Sequence, residues 1–433
     1  MKTLFPKQEE AFDFFVYRQT GDQNTLDQSD PGTGKTVVAV KMAKKLGRPI
    51  AIICPKAVIP AWRKELEEEG LTATFILNLE SLRTGKSGYV TKVGKKTFKW
   101  LLDPETLVFV DEIHKCKGPF TQNAGLLIAL VQQGYHIHGM SGTSCEDPTE
   151  MRPLGLMLDL HSGNERKPGY LRWWPWMKEY GCAKNRYNAW VLEDPQHLPR
   201  LREIMYATST HRLTVDDFPD SFKLNRIFVT PMQFRCNDQI VKAYEELNLT
   251  PQIIEDFIEK GTVTDSGHVL SDITRARRLA ESLKVPDIAE MAEEIMAEGN
   301  SVVLFVNYSE TVDALQARLG CDRIDGRQSA DERQQIIDEF QADQTHCVVV
   351  NSAAGGTGIS LHDTLGNRPR VTLITPSFSF KTYMQVLGRI HRNGGKSDAI
   401  QYVLVADGSI EEQVMKSVTK RMDNYNALHQ VKR

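Results

Sequence analysis

The chain has 433 residues, 41% of them hydrophobic and 25% charged, with a formal net charge of −3. This is the balance of a globular protein of roughly two to three domains, and any nucleic-acid binding has to use a local basic groove because there is no global basic excess. No run reaches ~18 apolar residues, so no membrane span is expected. The opening MKTLFPKQEEAFDFF carries acids early and lacks a signal-peptide core. Seven scattered cysteines without a CxxC pair argue against a disulfide framework or a zinc site. They point to a reducing, intracellular setting, cytoplasmic or nucleoid-associated.

In chain order, SDPGTGKT at Ser29 to Thr36 is a glycine-rich turn ending in Lys-Thr, just before Val37, Val38, Ala39 and Val40. Backbone N–H groups of such a turn wrap phosphate oxygens, and its lysine ammonium reaches the β- and γ-phosphates. The full P-loop pattern asks for glycine where this chain has Ser29, so the turn alone also reads as a plain loop. VFVDEIHK then delivers Asp111 and Glu112 to a strand end. An isolated acidic pair there is usually a solvated turn. Together and in order, the two segments point to binding and hydrolysis of a nucleoside triphosphate, with Thr36 and Asp111 as candidate ligands of Mg2+.

TVVAVKMAKKL reads as a helix leaving the turn, PIAIICP as a short buried strand and AVIPAWRKELEEE as the helix after it. TFILNLESLR gives a strand and turn; TLVFVDE and HIHGMSGTS give two more strands that end in polar residues. This alternation predicts a parallel sheet with ligands at the strand C-termini. From about 150 to 290 the rhythm breaks into the aromatic cluster LRWWPWMKEY and charged amphipathic helices such as DITRARRLAESLKVPDIAEMAEEIMAEG. It returns at SVVLFVNYSE, HCVVVNSAAGGTG, VTLITPSFS and IQYVLVADG. The expected fold class is α/β, two tandem parallel-sheet lobes at 1–150 and 291–433 joined by a mostly helical insertion and linker at 151–290.

Only the first lobe carries a P-loop, so the second is expected to supply a positive group. GRIHR offers Arg389 and Arg392, on one face if helical. An arginine near the γ-phosphate stabilises charge in phosphoryl transfer; a surface salt-bridging helix is the other reading. Trp173, Trp174 and Trp176 read as core packing between the lobes, with stacking on exposed bases as the alternative. Arg275, Arg277 and Arg278 form either a solvated face or a nucleic-acid channel.

The order of these segments resembles superfamily 2 helicases and, within them, the Snf2-like DNA translocases. FPKQ around Gln8 is similar to the adenine-reading Q motif, SDPGTGKT to motif I, and IICPKAVIPAWRKELE, with Pro55, Lys56 and Trp62, to the Snf2 motif Ia. DEIHK resembles the DEAH box with Ile113 for Ala, and MSGTSCEDPTEM motif III with Ser144 for Pro. VNSAAGGTGISL resembles motif V and QVLGRIHRNGGK motif VI. MKEYGCAKNRYNAWVL and THRLTVDDFPDSF resemble the linker of the annealing-helicase and fork-remodelling branch, with His211 and Arg212 where that linker has two consecutive basic residues.

The resemblance implies two RecA-like lobes and ATP with Mg2+ as cofactors. It implies an ATP site of Gln8, Gly32, Thr33, Gly34, Lys35, Thr36 and Gly358. Lys35, Asp111, Glu112, Arg389 and Arg392 would be catalytic, with Glu112 acting on the attacking water. His114, Ser141, Thr143 and Gln385 would couple the ATP site to motif VI. Lys56, Asn307, Asn351, Ser352 and Gly355 would contact the DNA backbone; the polar ones also read as strand-end turn residues. The expected partner is duplex, forked or branched DNA held through its phosphates, and a monomer is expected. A strand-separating DNA or RNA helicase and an ATP-gated clamp with little turnover are the competing readings.

Overall fold

The protein is described from a computed structural model covering residues 3–163, 167–185, 188–246, 267–355 and 359–429. The chain divides into two compact units, Met1–Asp217 with Met422–Arg433, and Phe218–Arg421.

The first unit begins with α1 (Pro6–Thr20), β1 (Thr25–Asp27), α2 (Lys35–Leu46), β2 (Ile50–Ile53), α3 (Ile59–Glu68) and β3 (Phe75–Leu77). A short helix α4 (Leu79–Leu82) and a hairpin, β4 (Val90–Lys92) and β5 (Phe98–Trp100), precede β6 (Leu107–Asp111), α5 (Gln122–Gln132) and β7 (His136–Met140). Then come α6 (Arg152–Met157), α7 (Trp173–Glu179), a second hairpin of β8 (Cys182–Lys184) and β9 (Trp190–Leu192), α8 (Leu198–Thr208) and β10 (Thr210–His211). The main sheet has the order β10-β1-β7-β6-β2-β3 and is parallel throughout. All four residues of β2 and the first four of β6 are buried. Strands covered on both faces need continuous apolar runs, which IAII and LVFV supply.

The second unit contains β11 (Asn225–Met232), α9 (Asn237–Glu245), two helices at Gly267–Leu283 and Val285–Ala297, β12 (Ser301–Val306), β13 (Asp322–Ile324), β14 (Cys347–Asn351), β15 (Arg370–Ile374) and β16 (Ala399–Ala406). Its parallel sheet has the order β11-β16-β15-β12-β14-β13. The C-terminal helix Ile410–His429 starts in this unit, and its last turns belong to the first.

The tandem parallel-sheet class matches expectation; the boundaries do not. Among the described residues, those of 151–217 group with the first sheet and those of 218–290 with the second. β10 and β11, both inside the segment read as helical linker, are edge strands of the two sheets. β10 is two residues long, and seven of eight residues in β11 are exposed. β10 is too short to leave an apolar run, and the three-residue run Ile227-Phe228-Val229 of β11 is exposed and ends at Thr230-Pro231. The tryptophan cluster also differs from expectation. Trp173 and Trp176, 2% and 4% exposed, lie inside the first unit's own core, with Leu154, Leu198 and Leu201.

Candidate nucleotide site

Sheet register brings three loops to one edge of the first unit. Asp27, ending β1, and Asp111, ending β6, both pair with Met140, ending β7. The turn after β1, the acidic pair at β6 and Ser141 after β7 therefore leave the sheet side by side.

In the turn, Gly32 and Gly34 have φ of 87° and 92°, a region that favours glycine. A Cβ on Gly34 would also lie 2.3 Å from Gln8 Nε2. Gly34 caps α2, whose first two residues are Lys35 and the half-buried Thr36. The Lys35 ammonium folds back over the turn and donates to the carbonyls of Ser29 at 2.7 Å and Asp30 at 3.0 Å. A helix N-terminus preceded by left-handed glycines and crossed by a lysine is a phosphate cradle. These residues fit ATP: the ammonium has carbonyl partners it can exchange for phosphate oxygens.

The turn is braced from three sides. Gln8 is buried; its Nε2 donates to the Thr33 carbonyl at 2.7 Å and its Oε1 accepts from the Phe5 N–H at 3.0 Å. Gln8 thus fastens α1 to the turn. The Thr33 hydroxyl donates to the Asp30 carbonyl at 2.8 Å. Ser29, standing where the pattern asks for glycine, accepts the Leu213 N–H on Oγ at 2.9 Å. Asp30 Oδ1 accepts from Arg212 Nη2 at 2.8 Å, and Asp30 Oδ2 from the Val215 N–H at 3.3 Å. The Arg212 guanidinium also lies 5.4 Å from the Tyr425 ring centroid. The Tyr425 hydroxyl donates to the Gly142 carbonyl at 2.5 Å and lies 3.1 Å from the Gln28 carboxamide.

The Arg212 side chain is 9% exposed and Asp30's 20%. Removing one partner of a buried pair strands the other, so Arg212→Ala is expected to lower stability by roughly 3 kcal/mol. Calorimetry should register this as a lower Tm; an unchanged Tm would show that the brace is not structural.

At the end of β6, Asp111 Oδ2 accepts the Trp62 indole N–H at 3.1 Å, and Oδ1 accepts the Glu112 N–H at 2.9 Å. Trp62 is 1% exposed, so α3 holds Asp111 with a fixed ring. Burial, with Glu112's charge beside it, pushes the Asp111 carboxyl up to about 6, while the Trp62 N–H and Lys35 pull the other way. A buried carboxyl facing a lysine suits a divalent cation, which would relieve the same desolvation. Thr36 and Asp111 are the residues that would hold it. Glu112 has φ 54° and ψ 47°, a left-handed conformation rare for a non-glycine residue and costing on the order of 1 kcal/mol or more. That turn brings its carboxylate back to His114, with Glu112 Oε2 3.0 Å from His114 Nδ1. His114 Nδ1 also lies 2.8 Å from Ser141 Oγ, which accepts the Thr143 N–H at 3.1 Å. With its proton on Nδ1, the imidazole donates to both oxygens. The structure thus brings His114, Ser141 and Thr143 into one chain that starts at Glu112.

The remaining sequence candidates are placed as follows. Lys56 is exposed beyond β2. In the second unit, the Asn307 side chain donates to Glu281 at 2.7 Å, Thr375 at 2.9 Å and the Pro376 carbonyl at 3.1 Å. Asn351 Oδ1 accepts the Ala353 N–H at 3.1 Å, capping the short helix Ser352–Gly355. The Asn307 bonds tie the end of β12 to distant segments, the Asn351 bond is a local cap, and Ser352 is buried. Gly358 lies outside the described residues. Gln385 sits half-buried on the helix Phe380–Leu387. That helix ends at Gly388, so Arg389 and Arg392 do not share a helix face; they lie in the turns that follow. They converge in another way: Arg389 Nη1 at 3.1 Å and Arg392 Nη2 at 3.3 Å both donate to the Ile359 carbonyl. Gly388 and the Asn-Gly-Gly at 393–395 stop the helix from continuing.

Sequence reasoning missed Asp30 as the anchor for Arg212, the hold of Trp62 on Asp111, and the left-handed Glu112. Arg212 and Trp62 were visible as residues within motifs, but their partners lie far off in sequence.

A cradle for phosphates beside a half-buried acidic pair, on a parallel sheet followed by a second, defines a P-loop nucleoside triphosphatase of two lobes. The helicase conserved C-terminal domain family matches residues 287–394. A protein of Acanthamoeba polyphaga mimivirus named as an ATP-dependent RNA helicase is 32% identical over 93% of this chain and 79% of its own length. Arabidopsis thaliana CHROMATIN REMODELING 24 is 22% identical over 95% of this chain. A Caenorhabditis elegans homologue of the SWI/SNF-related matrix-associated actin-dependent regulator of chromatin subfamily A-like protein 1 is 24% identical over 98%. The chain spans 45% and 61% of the length of these last two proteins. It belongs to the Snf2-like superfamily 2 helicases, a family of ATP-hydrolysing enzymes.

Proposed function

We propose that the protein is a DNA-dependent ATPase that moves along duplex DNA and remodels forks, junctions or protein–DNA complexes. The observation that carries this reading is the convergence of Lys35, Asp111, Glu112 and the His114–Ser141 pair at one sheet edge, in a chain of Snf2-like family. Bound ATP with Mg2+ supplies the phosphoanhydride bond that is broken. Lys35 neutralises phosphate charge, and Thr36 with Asp111 holds the metal. Glu112 orients the attacking water and accepts its proton, and His114 fixes the Glu112 carboxylate through Nδ1. Ser141 and Thr143 carry the state of that carboxylate toward the rest of the motor, with Gln385 on the receiving side. Arg389 and Arg392 supply positive charge from the second unit. Lys56, Asn307, Asn351, Ser352 and Gly355 grip backbone phosphates.

The linker segment at 177–192, which resembles the fork-remodelling branch, favours branched DNA. The name of the mimivirus relative favours a second reading, an RNA helicase.

The test is ATPase rate with blunt duplex DNA, single-stranded DNA, forked DNA and RNA as separate activators. DNA is expected to stimulate strongly and RNA weakly. The stimulation should fall steeply with added salt, because backbone binding releases counterions. Duplex tracking should appear as displacement of a triplex-forming strand. Stimulation by RNA alone would replace this reading with the second.

A further inference from the structure

α7 and the β8–β9 hairpin frame a groove that the nucleotide chemistry does not use. Its volume is about 550 Å3, and Arg172, Trp174, Pro175, Lys178, Lys184 and Trp190 line it. It lies wholly within the first unit.

The tryptophans here divide by role. Trp173 and Trp176 are core residues, whereas Trp174 and Trp190 stay half-buried and border the groove. The rings of Trp174 and Trp190 have centroids 5.4 Å apart and planes 34° apart. Trp174 also stacks with Phe120, at 6.0 Å and 29°, and Phe120 is 49% exposed. Three partly exposed aromatic rings are thus joined through Trp174, next to a core that holds Trp173 and Trp176.

Cations frame these rings. The ammonium groups of Lys178 and Lys184 each lie 5.9 Å from the Trp190 centroid, and the Arg152 guanidinium lies 5.1 Å from that of Phe120. Arg172, Lys178 and Lys184 are all exposed, and among the described residues no carboxylate lines the groove. The contact of Lys184 is with a neutral group, Asn188 Oδ1 at 2.7 Å. In a chain of net charge −3, this is a local positive patch on an aromatic floor. Aromatic faces stack with any base, and interleaved cations follow the phosphates.

We infer that this groove is a second nucleic-acid site, which takes an unpaired single-stranded DNA segment. Bases stack on Trp174 and Trp190, and phosphates pair with Arg172, Lys178 and Lys184. The inference rests on the proposed function only for the source of the strand: a fork or junction offers unpaired DNA next to the duplex on which the motor moves.

The test uses the full chain without ATP and a fluorescein-labelled oligo-dT of about 16 nucleotides. Binding is read by anisotropy and by quenching of tryptophan fluorescence. The double variant Lys178→Glu with Lys184→Glu changes two exposed side chains and is expected to fold as the native chain does. It should bind the oligonucleotide about tenfold or more weakly. Its log–log salt slope should be shallower by about 1.4, from two lost phosphate contacts at ~0.7 each. Trp190→Leu should lose part of the quenching. ATPase stimulation by blunt duplex should be unchanged in the double variant. Absent blunt-duplex stimulation in the native chain would defeat the proposed function and leave the oligonucleotide measurement standing. Native affinity and native salt slope in the double variant would overturn the inference.

Discussion

Arg392→Ala is expected to bind nucleotide normally while DNA-stimulated turnover falls about 10³-fold or more, the effect of losing an arginine that stabilises transferring phosphoryl charge. Arg392 is the better reporter of the two arginines. Arg389 is 3% exposed and donates to the Ile359 carbonyl, so Arg389→Ala also removes a buried side chain and its packing. Arg392 is half-buried and makes the longer bond to the same carbonyl, 3.3 Å. Fluorescent-nucleotide titration, a thermal melt and steady-state ATPase together separate binding, folding and chemistry. An unchanged rate in a folded Arg392→Ala protein would mean that motif VI does not act on the nucleotide.

Glu112→Gln should retain nucleotide and lose turnover by roughly 10²- to 10⁴-fold, the usual contribution of a positioned base. The amide keeps the side chain's length and can still meet His114, but it cannot take a proton. The left-handed backbone at φ 54° is a property of the fold around residue 112 and stays with glutamine in place. Lys35→Ala, in contrast, should abolish both tight binding and turnover, because the ammonium is the only Lys or Arg side chain donating within the turn Ser29–Thr36 among the described residues apart from Arg212. Isothermal titration with a non-hydrolysable ATP analogue distinguishes the two variants. If Glu112→Gln hydrolyses ATP at the native rate, the carboxylate is not the base.

The parts of the fold that were legible are those with local causes. β2, β6, β12 and β14 are buried runs of apolar residues, and such runs show in any window of sequence. The Ser29–Thr36 turn was readable because its two left-handed positions require glycine. The unread parts depend on distant partners. β10 exists because Leu26 and Asp27 pair with Thr210 and His211, which two residues alone cannot announce. Arg212 reaches Asp30 across 182 positions. The helical expectation for Arg389 and Arg392 failed at Gly388, where the C-cap outweighed the spacing of the arginines. Asn307 and Asn351 were legible as polar strand-end residues, but the partner of Asn307, Glu281, lies 26 positions away and could not be read from its neighbours.

The carbonyl contacts of Lys35 bear on how firmly its charge is placed. A lysine side chain carries about 2 kcal/mol of rotamer entropy, so an unanchored ammonium samples many positions. Here the side chain falls back onto the Ser29 and Asp30 carbonyls at 2.7 and 3.0 Å. Each contact is a charge-assisted hydrogen bond of the stronger kind. The backbone therefore sets where the ammonium stands, at the N-terminal end of α2. A cation placed in advance needs no reorganisation when phosphate charge develops beside it, which is where fixed donors have their largest effect.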